Sequence, residues 1–203
     1  MPVEYLKESA SQTAGPYVHI GCVPSFAGLK GMYGGKDLGE TMITGEAAGE
    51  RIVIEGHVYD GSGAPLKDAL LEIWQPDAAG RFNSPTETRG QADPHFTGWG
   101  RQPTNGATGK YRFDTIMPGA VPWPTGQMQA PHCVVWVVAR GINLGLNTRV
   151  YFDDHAEAHA TDPVLNKIEL AHRRATLVTT RDGNTFTFDI HLQGAHETVF
   201  FDI

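Results

Sequence analysis

LLEIWQPDAAGRF, residues Leu70 to Phe82, is the stretch on which the reading of this chain turns. Leu70, Leu71, Ile73 and Trp74 suit a pleated, buried surface, so the stretch opens as a strand. It breaks at Gln75-Pro76-Asp77 into a polar turn that runs to Gly80-Arg81-Phe82. A buried strand delivering a polar loop is a common way to put a site on a rigid scaffold. The fold class follows from finding more strands of this kind on either side of it.

Upstream, RIVIEGHVYDGSGAPL (Arg51 to Leu66) places Ile52, Ile54 and Val58 as a strand before the Asp60-Gly61 turn. Downstream, residues 75–109 read mostly as loop, with Gly98, Gly100, Gly106 and Gly109 as turns. GKYRFDTIMPG then puts Tyr111, Phe113 and Thr115 on one face of a short strand that Pro118-Gly119 stops. CVVWVVARG (Cys133 to Gly141) is the most strand-prone segment, and NTRVYFDD (Asn147 to Asp154) follows it. One helix is predicted over Asp162 to Arg174, with Asp162 as N-cap, Pro163 as its first residue, and Arg173-Arg174 at its negative end. LVTTRDGNTFTFDIHL closes the chain as a hairpin around Asp182-Gly183. The sum is an all-β chain: a β-sandwich core with long loops, an extended amino-terminal arm and one short helix. Residues 1–50 are the arm and its loops, and residues 51–203 the sandwich. In the arm SQTAGPYVHIG (Ser11 to Gly21) reads as ordered, and Tyr17, Val18, Ile20, Phe26 and Tyr33 need something to pack on.

The 203 residues suffice for one substantial core, and 24 glycines with 13 prolines punctuate short strands better than a helical bundle. A net charge of −7 argues against nucleic acid. Cys22 and Cys133 are too few for a disulfide framework or a four-cysteine zinc site. MPVEYLKESA has no apolar signal core, and the Cys133–Ala139 run is too short to span a bilayer. A reducing, cytoplasmic setting without membrane contact is expected.

No stand-alone catalytic constellation emerges from the residues. In FDDHAEAHA (Phe152 to Ala160), His155 and His159 would share a helix face beside Asp153, Asp154 and Glu157. The zinc-protease pattern, in which Glu directly follows the first His, is not met there, and a solvated first turn with well-placed acids is the ordinary reading. His132 before the buried strand reads as a structural hydrogen-bonder. Arg140 emerges at a strand end, either as a solvated charge or as a fork for an anionic or planar ligand.

Ile54 to Phe82 and Gly98 to Trp123 together resemble the intradiol ring-cleavage dioxygenases, as do the strand beyond and the segments RVYFDD, PVLN and GAHETVFFDI. The resemblance runs almost end to end. It implies a non-haem ferric ion held by two tyrosines and two histidines, since phenolate and imidazole suit that ion. This chain departs from the pattern at each ligand position. Where relatives have a tyrosine after Gly-Arg it has Phe82, and in the PG-x-Tyr-Pro-Trp stretch it has Val121. The His-x-His positions are Cys133 and Val135, or Val134 and Trp136, depending on how the preceding loop aligns.

The resemblance therefore implies a non-metal alpha chain whose homologous beta chain holds the Fe(III). Phe82, Val121 and the Cys133–Trp136 segment would then fill a pseudo-site with apolar side chains. It further implies that Thr13, Gly15 and Tyr17 line the partner's site, with Arg140 near the carboxylate of a carboxylated catechol cleaved by O2. The alternative is a non-enzymatic β-sandwich binding module descended from the same family.

Overall fold

The computed structural model describes residues 12–143 and 145–202. The MPVEYLKESA segment, Ser11 and Ile203 lie outside the described residues.

Strands β1 (Arg51–Tyr59), β2 (Leu70–Trp74), β3 (Trp99–Pro103) and β4 (Lys110–Ile116) are followed by the two-residue pair β5 (Val121–Pro122) and β6 (Met128–Gln129). Then come β7 (His132–Val138), β8 (Leu146–Tyr151), β9 (Thr180–Asp182), β10 (Thr185–Thr187) and β11 (Ile190–His191). One sheet is built on β1, which pairs antiparallel with β4 on one edge and parallel with β10 and β11 on the other; β9 pairs with β10. The second sheet has the order β3-β2-β7-β8, all antiparallel.

Alternation along each strand makes the sandwich. Ile52, Ile54 and Val58 of β1, Tyr111 and Phe113 of β4 and Phe186 of β10 face Leu71 and Ile73 of β2, Cys133, Val135 and Val137 of β7, and Val150 of β8. At roughly 25 cal/mol per Å2 of apolar surface, this shared core is the main stabilising contribution. Met42 and Ala47, upstream of β1, are seated in the same core.

Three features differ from the sequence reading. Pro16–Cys22 forms a helix, α1, with Gly15 at its N-cap and Pro16 as its first residue. Trp99–Pro103 is a full edge strand inside what reads as loop, because it pairs with β2 residue for residue. The predicted helix over Asp162–Arg174 is broken into a 3-10 turn at Leu165–Lys167 and a short helix, α3 (Ala171–Ala175). Ile168 and Leu170 are extended between them. Leu165 and Ile168 dock on a second cluster with Ala130, Tyr151 and Leu177, and the backbone leaves helical geometry at Ile168. A further one-turn helix, α2, covers Ala156–His159. No helix among the described residues is long and apolar enough to cross a membrane.

Candidate functional site

The outer face of the β3-β2-β7-β8 sheet carries the first candidate region. Strand register aligns Trp99, Trp74, Val134 and Arg149 in one row across the four strands, with His132 opposite Tyr151 in the next. Phe82 stacks on Trp74 at 5.8 Å between ring centroids, and a cleft on this face is lined by Phe82, Val121, His132, Val134, Gln129 and Arg149. Cys133 and Val135 lie on the opposite face of β7, inside the sandwich core. The residues of β7 that share a face with Phe82 and Val121 are thus His132 and Val134, a register that includes His132 and excludes Cys133 and Val135. Trp136 is two residues further along the same face, over Gly145.

The loop after β2 is held tightly. The Gln75 amide donates to the carbonyl of Ile116 at 2.9 Å and its oxygen accepts from Thr115 at 2.8 Å. One Asp77 carboxylate oxygen accepts from the backbone N–H groups of Ala79 and Arg81, and the other from that of Asp93, each at 2.9 Å. Gly80 sits at φ +75°, where a Cβ would lie 2.2 Å from the Ala120 carbonyl. Only glycine meets both demands, and the close approach sets Phe82 beside the Val121 hairpin.

As a donor set this cleft does not fit a ferric ion. Phe82, Val121 and Val134 carry no ligating atom. His132 donates its Nδ1–H to the Ala130 carbonyl at 2.8 Å, and burial together with the Arg149 charge lowers its pKa to about 4, so it is a neutral imidazole. The Tyr151 ring lies 5.5 Å from the His132 ring, but burial raises its pKa and its hydroxyl donates to Asp162 at 3.4 Å. It keeps its proton. The Glu87 carboxylate is engaged by the Arg89 guanidinium and by the Phe82 N–H, which hold it near pKa 2. In place of a metal the cleft holds the Arg149 guanidinium, which donates through Nη1 to Gln129 at 2.9 Å and to the Tyr151 hydroxyl at 3.2 Å.

His155 and His159 do not converge. His155 faces Asp154 at 3.7 Å, while His159 packs edge-on to the Tyr151 ring. Among the described residues no group of three or more His, Cys, Asp or Glu is placed to hold a metal.

The second region is at the far end of β7. Thr13, Gly15 and Arg140 lie together there, and Tyr17 follows two residues after Gly15 on α1. The Gly141 N–H donates to the Thr13 hydroxyl at 2.8 Å, and the same hydroxyl reaches the Ala139 carbonyl at 3.5 Å, so one side chain spans the two peptides flanking Arg140. A shallow pocket joins Gly15, His19 and Phe26 to Asp68 and Arg140. Arg140 meets Asp68 at 3.5 Å yet is 78% exposed, and Tyr17 is 85% exposed. Ile20, Phe26, Leu29, Met32, Tyr33 and Leu38 of the same arm are also exposed. A face of this kind suits contact with another chain.

Sequence reasoning missed Arg149 and Gln129. The signal available was an arginine in the Val134-facing register of a strand otherwise apolar toward the core, which alternation alone could have flagged.

Comparison with known proteins adds the following. The family described as Dioxygenase matches residues 29–194. The protocatechuate 3,4-dioxygenase alpha chain of Pseudomonas putida is 43% identical over 206 residues, covering 100% of both chains. The protocatechuate 3,4-dioxygenase beta chain of Burkholderia cepacia is 35% identical over 185 residues, covering 82% of this chain and 78% of that one. Among solved structures, 3-chlorocatechol 1,2-dioxygenase from Rhodococcus opacus 1CP superposes with a TM-score of 0.57 at 21% identity, over 76% of this chain and 64% of that one, a likeness of fold.

Proposed function

This chain belongs to the dioxygenase family, and from that membership we propose that it serves as the alpha subunit of a protocatechuate 3,4-dioxygenase, paired with a homologous beta subunit. The complex is an enzyme of aromatic catabolism in the beta-ketoadipate pathway, cleaving protocatechuate with O2 to 3-carboxy-cis,cis-muconate in a reducing, cytoplasmic setting. The family's chemistry implies iron, and the Fe(III) belongs to the beta chain in this reading.

The observation that carries it is the contrast between the two regions. The scaffold of a site is kept around Phe82, Val121, His132 and Val134 without a donor set for a hard trivalent ion, while Arg140, beside Asp68, and Tyr17 stand exposed at the surface. Thr13, Gly15, Tyr17 and Arg140 are assigned to the lining of the partner's site. There the Arg140 guanidinium would meet the substrate's carboxylate as a charge-assisted fork. The division into a partner-facing arm over residues 1–50 and a sandwich over residues 51–203 is part of the same proposal. Within that arm Met42 and Ala47 already sit in the core, so the partner-facing stretch is the earlier one.

Co-expression with a beta chain tests the pairing. A tag on this chain should retain the beta chain through purification and salt washing, with ring-cleavage activity in the retained fraction. Recovery of this chain alone, with the beta chain in the flow-through, would overturn the pairing and leave a binding module.

A further inference from the structure

The cleft on the outer sheet face continues into a cavity of about 390 Å3 under the loop that carries Leu165–Lys167. That size is within the roughly 300–1,000 Å3 range of small-molecule sites. Its walls are largely apolar, with Val134 and Ile168 beside the flat rings of Trp123 and Phe201. Two cations face it. The Lys167 ammonium sits 5.0 Å over the Trp123 ring, and Arg149 lies 5.9 Å from the Phe201 ring centroid. Asp202, the acid of the lining, is exposed at the rim.

Arg149 is the decisive feature. Its hydrogen bonds run through Nη1 to neutral oxygens of Gln129 and Tyr151, and among the described residues no carboxylate lies within 4.0 Å of it. Its Nε and Nη2 donors make no hydrogen bond among the described residues. These two N–H groups form one edge of the guanidinium, and that edge matches a carboxylate bidentately. A half-buried cation with an open fork beside flat apolar walls is built for an anion with a flat apolar body.

We propose that this cavity is a non-catalytic binding site for a monocyclic aromatic carboxylate, with the carboxylate on the Nε–Nη2 edge of Arg149 and the ring between Val134, Trp123 and Phe201. The site is made from this chain alone, so it does not depend on the pairing proposed above.

Benzoate is the probe, counted by equilibrium dialysis against the full chain, in complex with a beta chain where one is bound. The expected result is one benzoate fewer per copy of this chain in Arg149→Gln than in the unsubstituted protein. Val134→Phe, which leaves Arg149 in place and fills the ring position, should remove the same one and decides the matter where Arg149→Gln fails to fold. Benzyl alcohol, flat but uncharged, should bind at least tenfold more weakly at this site. The same benzoate count in the unsubstituted chain and in Val134→Phe, or no benzoate bound at all, would overturn the proposal.

Discussion

Arg140 holds its charge at the surface with a carboxylate, Asp68, at 3.5 Å. An exposed pair of this kind contributes little to stability, so Arg140→Ala should leave the melting temperature of the complex almost unchanged. Charge-assisted hydrogen bonds are worth about 1.5–3 kcal/mol, so the same variant should raise the KM for protocatechuate about tenfold or more while catechol is scarcely affected. Steady-state kinetics on both substrates check this, and equal losses on the two would remove Arg140 from the carboxylate's place. His132 makes a second prediction. Its pKa in the folded chain is about 4 against 6.5 for an ordinary histidine, so the unfolded chain binds the proton more tightly. Stability is therefore untouched by this group above pH 6.5 and falls as pH drops from about 6.5 to 4, by about 3 kcal/mol in all. Denaturant melts of His132→Gln should show a flatter profile across that window. Burial likewise pushes the Cys133 thiol up, whereas Cys22 is only half-buried. Maleimide should label Cys22 in the native protein and reach Cys133 only after unfolding.

Between residues and fold stand the elements, and there Asp162 does more than cap a helix. Its carboxylate accepts from the N–H groups of Ala130, Val164 and Leu165, each at 2.8 Å, and from the Tyr151 hydroxyl, while the residue is fully buried. Asp162→Ala strands those donors and should cost about 2–4 kcal/mol, readable as a lower midpoint in urea. Asp162 was legible as a cap from its place before Pro163, but the carry of that helix to Arg174 was not. The apolar stripe of Val164, Leu165 and Ile168 satisfies a helix on paper, yet it is met here by a 3-10 turn followed by an extended Ile168, with Leu165 and Ile168 both packed on the cluster that holds Tyr151 and Leu177. The strands fared better, because alternation in β1, β4 and β10 records which face is buried whatever the partner. Edge strand β3 left no such record: its Trp-Gly-Arg-Gln-Pro composition is poor in strand formers, and pairing with β2 makes it a strand.

The whole molecule keeps the frame of the dioxygenase family. That frame was legible in the kept motifs, and so were Phe82 and Val121 where the resemblance expects tyrosines. The β7 register was not, since only the sheet shows that His132 and Val134, rather than Cys133 and Val135, share the cleft. Alternation along β8 puts Arg149 on the face away from the core, but only the sheet register shows that the cleft beside Val134 is what it enters. The central claim is that iron in the complex belongs to the partner. Metal analysis of the full chain purified alone and of the alpha–beta complex tests it most directly. The account predicts less than a tenth of an iron per chain and no protocatechuate turnover for the chain alone, against about one iron per alpha–beta pair with turnover in the complex. Stoichiometric iron with turnover in the chain alone would contradict it.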